Sequence, residues 1–377
     1  MFLGIDIGTS GVKAILLDQV GTLVAQSNAP LSVSRPHDLW SEQDPADWCD
    51  AVDKAVLGLP EDLRRQTQGI GLAGQMHGAT LLGRDDQVLR PAILWNDGRA
   101  HEECAEMEAA LPTLRAISGN IAMPGFTAPK LAWVRKHERA IFDQAKTVLL
   151  PKDYVRLWMS GDKASDLSDS AGTLWLDVAE RCWSDDLLTL TGLDQSHMPR
   201  LYEGSEITGT LRPEIATRWG MDAVPIAAGA GDNAAGAIGV GVVDDGDALL
   251  HFARGGPAGL DAPEHQRPEQ EMQMPQRIAQ GHARLLGPEH GRQLEQEDGH
   301  EGQRHRAVAH HRPGGRTPPG AGLEPHHRTT RCAQHRSDRR DRNLRHLRPH
   351  HLAITRALDR PDPGPHHRTD RGLHAHA

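Results

Sequence analysis

Short apolar runs open the chain and predict three strands joined by tight turns. The stretch MFLGIDIGTSGVKAILLDQVGTLVAQSNAPL groups Val, Ile and Leu into clusters that are interrupted at Gly8–Gly11 and at Gly21. Clusters of this kind, separated by glycine-rich breaks, are typical of strands and turns. We therefore expect three antiparallel strands at the start of the chain.

The spacing of apolar residues changes after residue 43 and predicts a helix in DPADWCDAVDKAVLGLP. Asp44 is a suitable N-cap, and Pro45 suits the first helical position. Pro60 is expected to end the helix. An apolar stripe at helical spacing runs along its length, formed by Trp48, Val52, Ala55 and Leu59.

The same alternation of strands and helices continues to about residue 250. Strands that each run into a polar or glycine-rich turn are predicted in GIGLAGQMHGATLLG, RPAILWNDGR, AKTVLL and VPIAAGA. Helices are predicted in DGRAHEECAEMEAALPTL, APKLAWVRKHERAIF, PKDYVRLWMSG and DNAAGAIGVGVV. This order predicts an α/β fold with a mixed sheet flanked by helices.

From His251 onward the apolar periodicity fails. Leu, Ile, Val and Phe together number 14 in residues 251–377, which is about 11% and well below the level of roughly 20% that already indicates disorder. This segment has no Lys, Trp or Tyr and is rich in Arg, His, Pro, Gly and Gln. We expect residues 251–377 to be a disordered tail. Because GC-rich triplets encode most of these residues, we hypothesise that the tail is translated from a shifted reading frame.

The charge balance differs between the two parts of the chain. Residues 1–250 carry 21 basic and 36 acidic side chains, whereas residues 251–377 carry 21 Arg and 15 acidic side chains. The arginines could contact nucleic-acid phosphates, but the interspersed acids, the scarcity of aromatics and the acidic preceding segment argue against a nucleic-acid partner. The tail also contains adjacent His pairs, which favour adventitious zinc or nickel binding over a defined site because nothing positions the ligands.

The remaining composition excludes several protein classes. Cys49, Cys104, Cys182 and Cys332 form no CxxC pair, which is typical of a reducing compartment. The N-terminus lacks the features of a secretory signal, and no apolar run approaches membrane-spanning length. These features predict a cytoplasmic protein without a membrane partner, and they leave a homodimer open.

The first candidate site is the turn in GIDIGTSGVK. Backbone N–H groups in such a turn can converge on a phosphate, and Thr9, Ser10 and Lys13 add donors and charge. Asp6 would face the phosphates, where a carboxylate is tolerable with Mg²⁺ between them. A plain hairpin explains the spacing equally well, and GxxxxGK[ST] occurs nowhere in the sequence.

Two further segments carry candidate chemistry at predicted strand ends. Asp232 in GAGDN follows a strand and opens a helix, so it could accept a proton from a substrate hydroxyl or serve as an ordinary N-cap. Polar side chains also follow strands in GQMHG and WNDGR, where open α/β sheets bind ligands. Beside Trp95 they suit a sugar or polyol, although the pattern alone favours a hydrogen-bonded turn histidine for His77. The residues that lie just past the predicted strand ends in these two segments are Gln75, Met76, His77, Asn96, Asp97 and Arg99.

Together these segments resemble the FGGY carbohydrate kinases, and among them the xylulokinases. The resemblance covers residues 1 to about 250, and GFTAPKLAWVRKH is similar to the first signature of the family. GQMHGATLL and WNDGR favour the xylulokinases over the glycerol and gluconate kinases. Other matching segments include SRPHDLWSEQDPADW, RPAILWNDGRA, SDLSDSAGTLWLDVAERCWS, LYEGSEITG and GAGDNAAGAIGVG.

The resemblance implies an actin/hexokinase-like architecture, in which two ribonuclease-H-like domains close over a cleft. Residues 1–245 would be the N-terminal, sugar-binding domain. The implied reaction transfers the γ-phosphoryl group of ATP to the 5-hydroxyl of D-xylulose or a related ketose. Asp232 would be the base, and Asp6 would lie beside the Mg²⁺–phosphate. The implied sugar contacts are Gln75, Met76, His77, Trp95, Asn96 and Asp97, and the implied phosphate contacts are Thr9, Ser10, Gly11 and Lys13.

The sequence departs from the family pattern in residues 251–377. The family's second domain carries another Gly/Thr/Ser turn, the adenosine site and a second signature, and none of these motifs occurs in this segment. The C-terminal counterpart is therefore expected to be absent or replaced by disordered sequence. Three alternatives follow: an active kinase, a catalytically impaired kinase chain, or a sugar-binding remnant without turnover.

Overall fold

The computed structural model of the protein describes residues 1–244 and residue 248. The expectations for residues 251–377, including disorder, lie outside these described residues. Within the described part, every helix is too short or too polar to cross a lipid bilayer.

The described residues alternate between strands and helices as predicted. The strands are β1 (Phe2–Ile7), β2 (Gly11–Leu17), β3 (Leu23–Pro30), β4 (Glu42–Gln43), β5 (Ile70–Gly74), β6 (Thr80–Leu82), β7 (Ala92–Ile93), β8 (Thr147–Leu149), β9 (Ala164–Asp166), β10 (Leu176–Asp177), β11 (Cys182–Trp183), β12 (Arg200–Tyr202), β13 (Ile207–Thr210), β14 (Pro225–Ala227) and β15 (Ala230–Gly231). The helices are α1 (Pro45–Leu57), α2 (Glu61–Arg64), α3 (His101–Ala110), α4 (Leu114–Ser118), α5 (Thr127–His137), α6 (Arg139–Phe142), α7 (Pro151–Ser160), α8 (Leu167–Ala171), α9 (Asp185–Thr191), α10 (Pro213–Trp219) and α11 (Asp232–Gly239). Two 3-10 helices lie at Arg84–Asp86 and Gln195–His197.

A mixed sheet organises the described residues, with strand order β13–β14–β5–β1–β2–β3 and with β15 also paired to β5. β1, β2 and β3 are antiparallel neighbours, as the opening pattern predicts. β5 runs parallel to β1, and both β14 and β15 run parallel to β5. The mixed sheet confirms the predicted α/β class. Smaller two-stranded sheets pair β4 with β7, β6 with β8, β9 with β12 and β10 with β11.

Helix α1 covers one face of the sheet and confirms the predicted stripe. Trp48, Val52 and Ala55 are fully buried in a core shared with β1, β2 and α10. The Asp44 carboxylate accepts the N–H of Ala46, as expected of an N-cap. The predicted end at Pro60 is wrong: α1 ends at Leu57 and is followed by Gly58. A Cβ atom on Gly58 would lie 2.2 Å from the hydroxyl oxygen of Ser27 in β3. The end of α1 can therefore contact β3 because this position is a glycine.

A second core packs α3, α5 and α9 against β6 and β8. The segment APKLAWVRKHERAIF, predicted as one helix, forms α5 and α6 with a break at Glu138. Glu138 has φ −128° and ψ 51°, outside the helical region. Its carboxylate reaches the buried Arg90 guanidinium at 3.0 Å. This tertiary ion pair lies at the break, where the sequence has neither Pro nor Gly.

Asp53 joins α1 to α10, and its replacement gives the first testable prediction. Its carboxylate accepts the Trp219 indole N–H at 3.0 Å and the Arg218 guanidinium at 2.5 Å. Asp53→Ala leaves the buried indole N–H without its acceptor, so we expect a loss of about 1–3 kcal/mol in the free energy of unfolding by urea. Asp50→Ala, at an exposed position of the same helix, is the control. Equal stability of the two variants would contradict this account.

Candidate active site

Three parallel strands end in register at one edge of the sheet. Ile7 at the end of β1 lies beside Gly74 of β5, and Gly74 lies beside Gly231 of β15. The carboxyl ends of neighbouring parallel strands form the usual ligand site of such sheets. The Gly8–Gly11 turn, the Gln75–His77 loop and Asp232 follow these three strand ends directly, so the predicted site residues on them meet at one edge.

The Gly8–Gly11 turn is held in one conformation by its own backbone and by the neighbouring chain. The N–H of Gly8 donates to the carbonyl of Gly11 at 3.0 Å, and the carbonyl of Ser10 accepts the N–H of Leu31 at 2.9 Å. A Cβ atom on Gly11 would lie 2.7 Å from the Ala29 carbonyl oxygen, so glycine is required there. Within residues 1–244, the backbone N–H groups of Thr9 and Ser10 have no protein acceptor. The turn therefore presents two donors, as a phosphate contact needs.

Asp6 occupies the carboxyl half of β1, opposite Lys13 of β2, and both side chains are half-buried. Among the described residues, no group of three or more His, Cys, Asp or Glu side chains could hold a metal ion. A single carboxylate still fits Mg²⁺, which commonly keeps several waters and binds one or two carboxylates together with substrate phosphates. The geometry is therefore compatible with a water-mediated role for Asp6.

Met76 and His77 lie against two glycines on neighbouring segments. A Cβ atom on Gly231 would lie 2.8 Å from Cγ of Met76. A Cβ atom on Gly172, just after α8, would lie 2.3 Å from Cε1 and 2.6 Å from Nδ1 of His77. Real Cβ atoms do not approach other heavy atoms so closely, so both side chains occupy space that only glycine leaves.

His77 is fixed at its backbone and at its ring. Its φ of 65° is left-handed, which is uncommon for a residue with a side chain and can store strain at functional sites. The His77 carbonyl accepts the Lys130 ammonium at 2.8 Å and the Thr127 hydroxyl at 3.2 Å. Nδ1 lies 2.8 Å from the Gly172 carbonyl. Since a carbonyl only accepts, Nδ1 carries the proton and Nε2 is the acceptor.

The environment of the His77 imidazole keeps it uncharged. Burial, assisted by the nearby Lys130 ammonium, lowers the pKa of His77 to about 3. The ring is therefore neutral across the physiological pH range, and Nε2 can accept a hydrogen bond from a sugar hydroxyl. The hydrogen bond of Nδ1 confirms that His77 is a hydrogen-bonded turn histidine. Because this bond uses only Nδ1, Nε2 remains able to contact a sugar.

This lowered pKa predicts how stability depends on pH. Below the ordinary pKa of 6.5, His77 takes up a proton in the unfolded chain but not in the folded one until about pH 3. Unfolding is thereby favoured as the pH falls through this window. We expect the melting temperature of the wild type to fall more steeply between pH 6.5 and pH 4 than that of His77→Gln. Parallel melting curves for the two proteins across this range would contradict the assignment.

Trp95 also lies at the site, and Asn96 follows it in the chain. The Trp95 indole N–H donates to the Thr9 hydroxyl at 2.9 Å, which joins the WNDGR segment to the Gly8–Gly11 turn. The side-chain oxygen of Asn96 is buried and accepts no hydrogen bond within the described residues. Trp95 therefore lies against the Gly8–Gly11 turn, and the sugar contacts of Trp95 and Asn96 stay predictions.

Asp97 is engaged within the protein. Its carboxylate accepts the N–H of Ser41 at 2.7 Å and the guanidinium of Arg99 at 2.7 and 2.9 Å. Arg99 also reaches Glu42 at 2.8 Å and lies 3.6 Å over the Trp40 ring. These contacts hold the loop that carries Trp95, so Asp97 already has a structural role beside its predicted sugar contact.

Gln75 is almost fully buried, with 1% of its surface exposed. Its side-chain oxygen accepts the Thr9 hydroxyl at 2.9 Å, and its amide nitrogen donates to Gln43 at 2.9 Å. Sequence reasoning missed Gln43, which lies in the SEQDP segment beside the predicted helix cap. No local signal distinguishes it there, because its contacts are made to residues distant in sequence.

Asp232 is the first residue of α11, and Gly231 occupies the N-cap position. The alternative that Asp232 is an ordinary N-cap is therefore wrong. Its carboxylate accepts the N–H of Asn233 at 2.8 Å. The positive end of the helix favours the ionised carboxylate, which is the form that a base requires.

A buried cluster of charges, which sequence reasoning also missed, lies behind Asp232. Lys152 Nζ lies 2.5 Å from Asp153, 2.9 Å from Asp166 and 3.6 Å from Asp169, and all four side chains are at most 1% exposed. Burial raises the pKa of Asp169 well above its usual value; Asp166, Asp153 and Asp232 add to this, and Lys152 opposes it. Asp169 thus lies close enough to Asp232 for the charge of each carboxyl group to affect the other.

The sheet and the grouping at its edge define an actin/hexokinase-like sugar-kinase fold. The chain belongs to the FGGY family of carbohydrate kinases, whose N-terminal domain matches residues 1–239. This finding confirms the resemblance that the motifs indicated.

Individual relatives show how far the match extends. The chain is 58% identical over 257 residues to the xylulose kinase of Escherichia coli K12, covering 68% of this chain and 53% of that protein. The crystal structure of a xyloylose kinase from Brucella ovis superposes with a TM-score of 0.62 at 54% identity, covering 65% of this chain and 51% of that one. The xylulose kinase structure from Rhodospirillum rubrum gives a TM-score of 0.63 at 30% identity, with the same shares. The chain thus matches about half the length of these relatives.

Proposed function

We propose that residues 1–245 form the sugar-binding side of a D-xylulose kinase in the cytoplasm. The reaction is transfer of the ATP γ-phosphoryl group to the 5-hydroxyl of D-xylulose or a related ketose. The observation that carries the proposal is the register of Ile7, Gly74 and Gly231, which supports a single site built from the turn, the Gln75–His77 loop and Asp232.

In this proposal each group has one role. The Asp232 carboxylate accepts the proton of the 5-hydroxyl as that oxygen attacks phosphorus. The neutral His77 accepts a hydrogen bond from another hydroxyl and, with Met76, orients the ketose. Lys13 and the N–H groups of the Gly8–Gly11 turn bind the transferring phosphoryl group. Asp6 would hold Mg²⁺ through water, and the ion would neutralise charge on the phosphates.

We further propose that this chain binds the ketose but phosphorylates it at a negligible rate. Phosphoryl transfer depends on positioning and on electrostatic stabilisation around the phosphates. Residues 251–377 carry no second Gly/Thr/Ser turn and no second family signature, which supports an impaired chain with a frame-shifted tail. The nucleotide sequence tests the tail: a one- or two-base shift near codon 250 should restore an apolar, kinase-like sequence.

Two assays on the full chain test the function. Calorimetric titration with D-xylulose should give saturable binding, and His77→Ala should weaken it by about tenfold, which corresponds to the loss of one buried hydrogen bond. A coupled assay with D-xylulose and Mg·ATP should give negligible turnover. Absence of binding would overturn the sugar site, and turnover at an ordinary kinase rate, about 1–100 s⁻¹, would overturn the proposed impairment.

A further inference from the structure

A chain of hydrogen bonds runs from the Trp48 indole through Gln43, Gln75 and Thr9 to the Trp95 indole. Gln43 is 2% exposed. Its side-chain oxygen accepts the Trp48 indole at 2.9 Å and the Gln75 amide at 2.9 Å. Its amide nitrogen donates to the Thr9 carbonyl at 2.8 Å and to the Ser32 carbonyl at 3.1 Å. Every hydrogen-bonding position that this amide normally uses is therefore occupied.

The direction of each hydrogen bond is determined by the indoles at the two ends. An indole N–H can only donate, so the atom of Gln43 that faces Trp48 must be its oxygen. Gln75 must then turn its nitrogen towards Gln43 and its oxygen towards Thr9. The Thr9 hydroxyl consequently donates its single proton to Gln75 and accepts from Trp95.

This polarity changes the role expected of Thr9. Because its only hydroxyl proton is used by Gln75, the side chain has no proton to give to a phosphate. Its carbonyl is held by Gln43, which fixes the peptide plane and hence the direction of the Ser10 N–H. The same residue therefore orients the Trp95 indole on the sugar side and the backbone donors on the phosphate side.

We propose that Gln43 and Thr9 are positioning residues that fasten the Trp95 side of the sugar site to the Gly8–Gly11 turn. This inference rests on the proposed function for its ligand, since Trp95 is expected to contact the ketose. In this proposal neither side chain is a direct ligand of the sugar. The Thr9 hydroxyl accepts the Trp95 indole N–H, and Gln43 makes its hydrogen bonds to protein groups. Disruption of either link should weaken sugar binding without removing a sugar contact.

The first test compares Thr9→Val with Thr9→Ser in the full chain. Valine keeps the shape but removes the hydroxyl, so exchange of the Trp95 indole proton, followed by NMR and assigned with Trp95→Phe, should accelerate by about tenfold or more. D-xylulose affinity should fall by a similar factor. Serine should restore both to within about twofold. Unchanged indole exchange or affinity in Thr9→Val, or failure of serine to restore them, would overturn the inference.

The second test uses Gln43→Glu, which keeps the acceptor for Trp48 and Gln75 but, when ionised, cannot donate to the Thr9 carbonyl. D-xylulose affinity should fall by about tenfold while the Trp48 indole stays protected from exchange. Gln19→Glu is the control, because Gln19 donates to Gln68 at 3.2 Å in an exposed pair of the same chemistry. Wild-type affinity in Gln43→Glu would overturn the role of Gln43. A wild-type chain that binds no D-xylulose would instead overturn the proposed function, and indole exchange in Thr9→Val would still decide whether the hydrogen-bond chain exists.

Discussion

Lys152→Met is expected to destabilise the protein by about 3–5 kcal/mol, the usual cost of removing one partner from a buried ion pair. Lys152 is fully buried, and its ammonium is the cation nearest to Asp153 and Asp166. Burial disfavours its charge, but the three surrounding carboxylates outweigh burial and raise the pKa of Lys152. Methionine has a similar volume, so the loss should come from the carboxylates that lose their nearest counter-ion; the next cation, Arg156, lies 3.8 Å from Asp153. Urea unfolding monitored by circular dichroism measures it.

Lys163→Met is a matched control for this prediction. Lys163 Nζ lies 2.5 Å from an Asp86 oxygen, the same separation as between Lys152 and Asp153, but its side chain is 39% exposed. Water solvates both charges at the surface, so the control should lose less than about 1 kcal/mol. If the two variants lost the same free energy of unfolding, burial would not explain the contribution of Lys152 to stability.

Gly172→Ala is expected to weaken D-xylulose binding by about tenfold to a hundredfold, equivalent to losing one or two buried hydrogen bonds. Gly172 has φ −80° and ψ 0°, which alanine adopts without strain. The new methyl carbon would instead lie 2.3 Å from Cε1 of His77. The ring must move, so Nδ1 loses the Gly172 carbonyl and Nε2 leaves the position from which it is proposed to accept a ketose hydroxyl. Calorimetric titration measures the affinity.

Gly69→Ala is the control for this substitution, because its methyl group would meet only ordinary contacts of 3.7 Å or longer. It should bind D-xylulose as the wild type does. Thermal melts of both variants exclude general unfolding as the cause. Wild-type affinity in Gly172→Ala would mean that the position of the His77 ring does not determine sugar binding.

Much of the sheet could be predicted because its signals are local. The apolar runs on either side of Gly8–Gly11 and Gly21 correctly predict β1, β2 and β3. Trp48, Val52 and Ala55 of α1 are buried as the helical period requires. The site edge was also predictable, because polar residues that directly follow parallel strands must meet. Asp232 and the Gln75–His77 loop are such residues.

The parts that escaped prediction depend on contacts between distant residues. The break at Glu138 coincides with an ion pair to Arg90, and no residue near Glu138 indicates it. Lys152 and Asp169 look like surface charges in sequence, because nothing local reports that they share one buried cluster. Gln43 and Gly172 owe their roles to neighbours brought together by the sheet, so only the fold reveals them.

The position of bound sugar tests the central claim most directly. Crystals of the full chain with D-xylulose should place the 5-hydroxyl about 2.6–3.2 Å from an Asp232 oxygen, the range that proton transfer to a base requires. A second hydroxyl should lie within hydrogen-bond distance of His77 Nε2. Sugar bound away from the common edge of β1, β5 and β15, or bound there with its 5-hydroxyl turned from Asp232, would contradict the account.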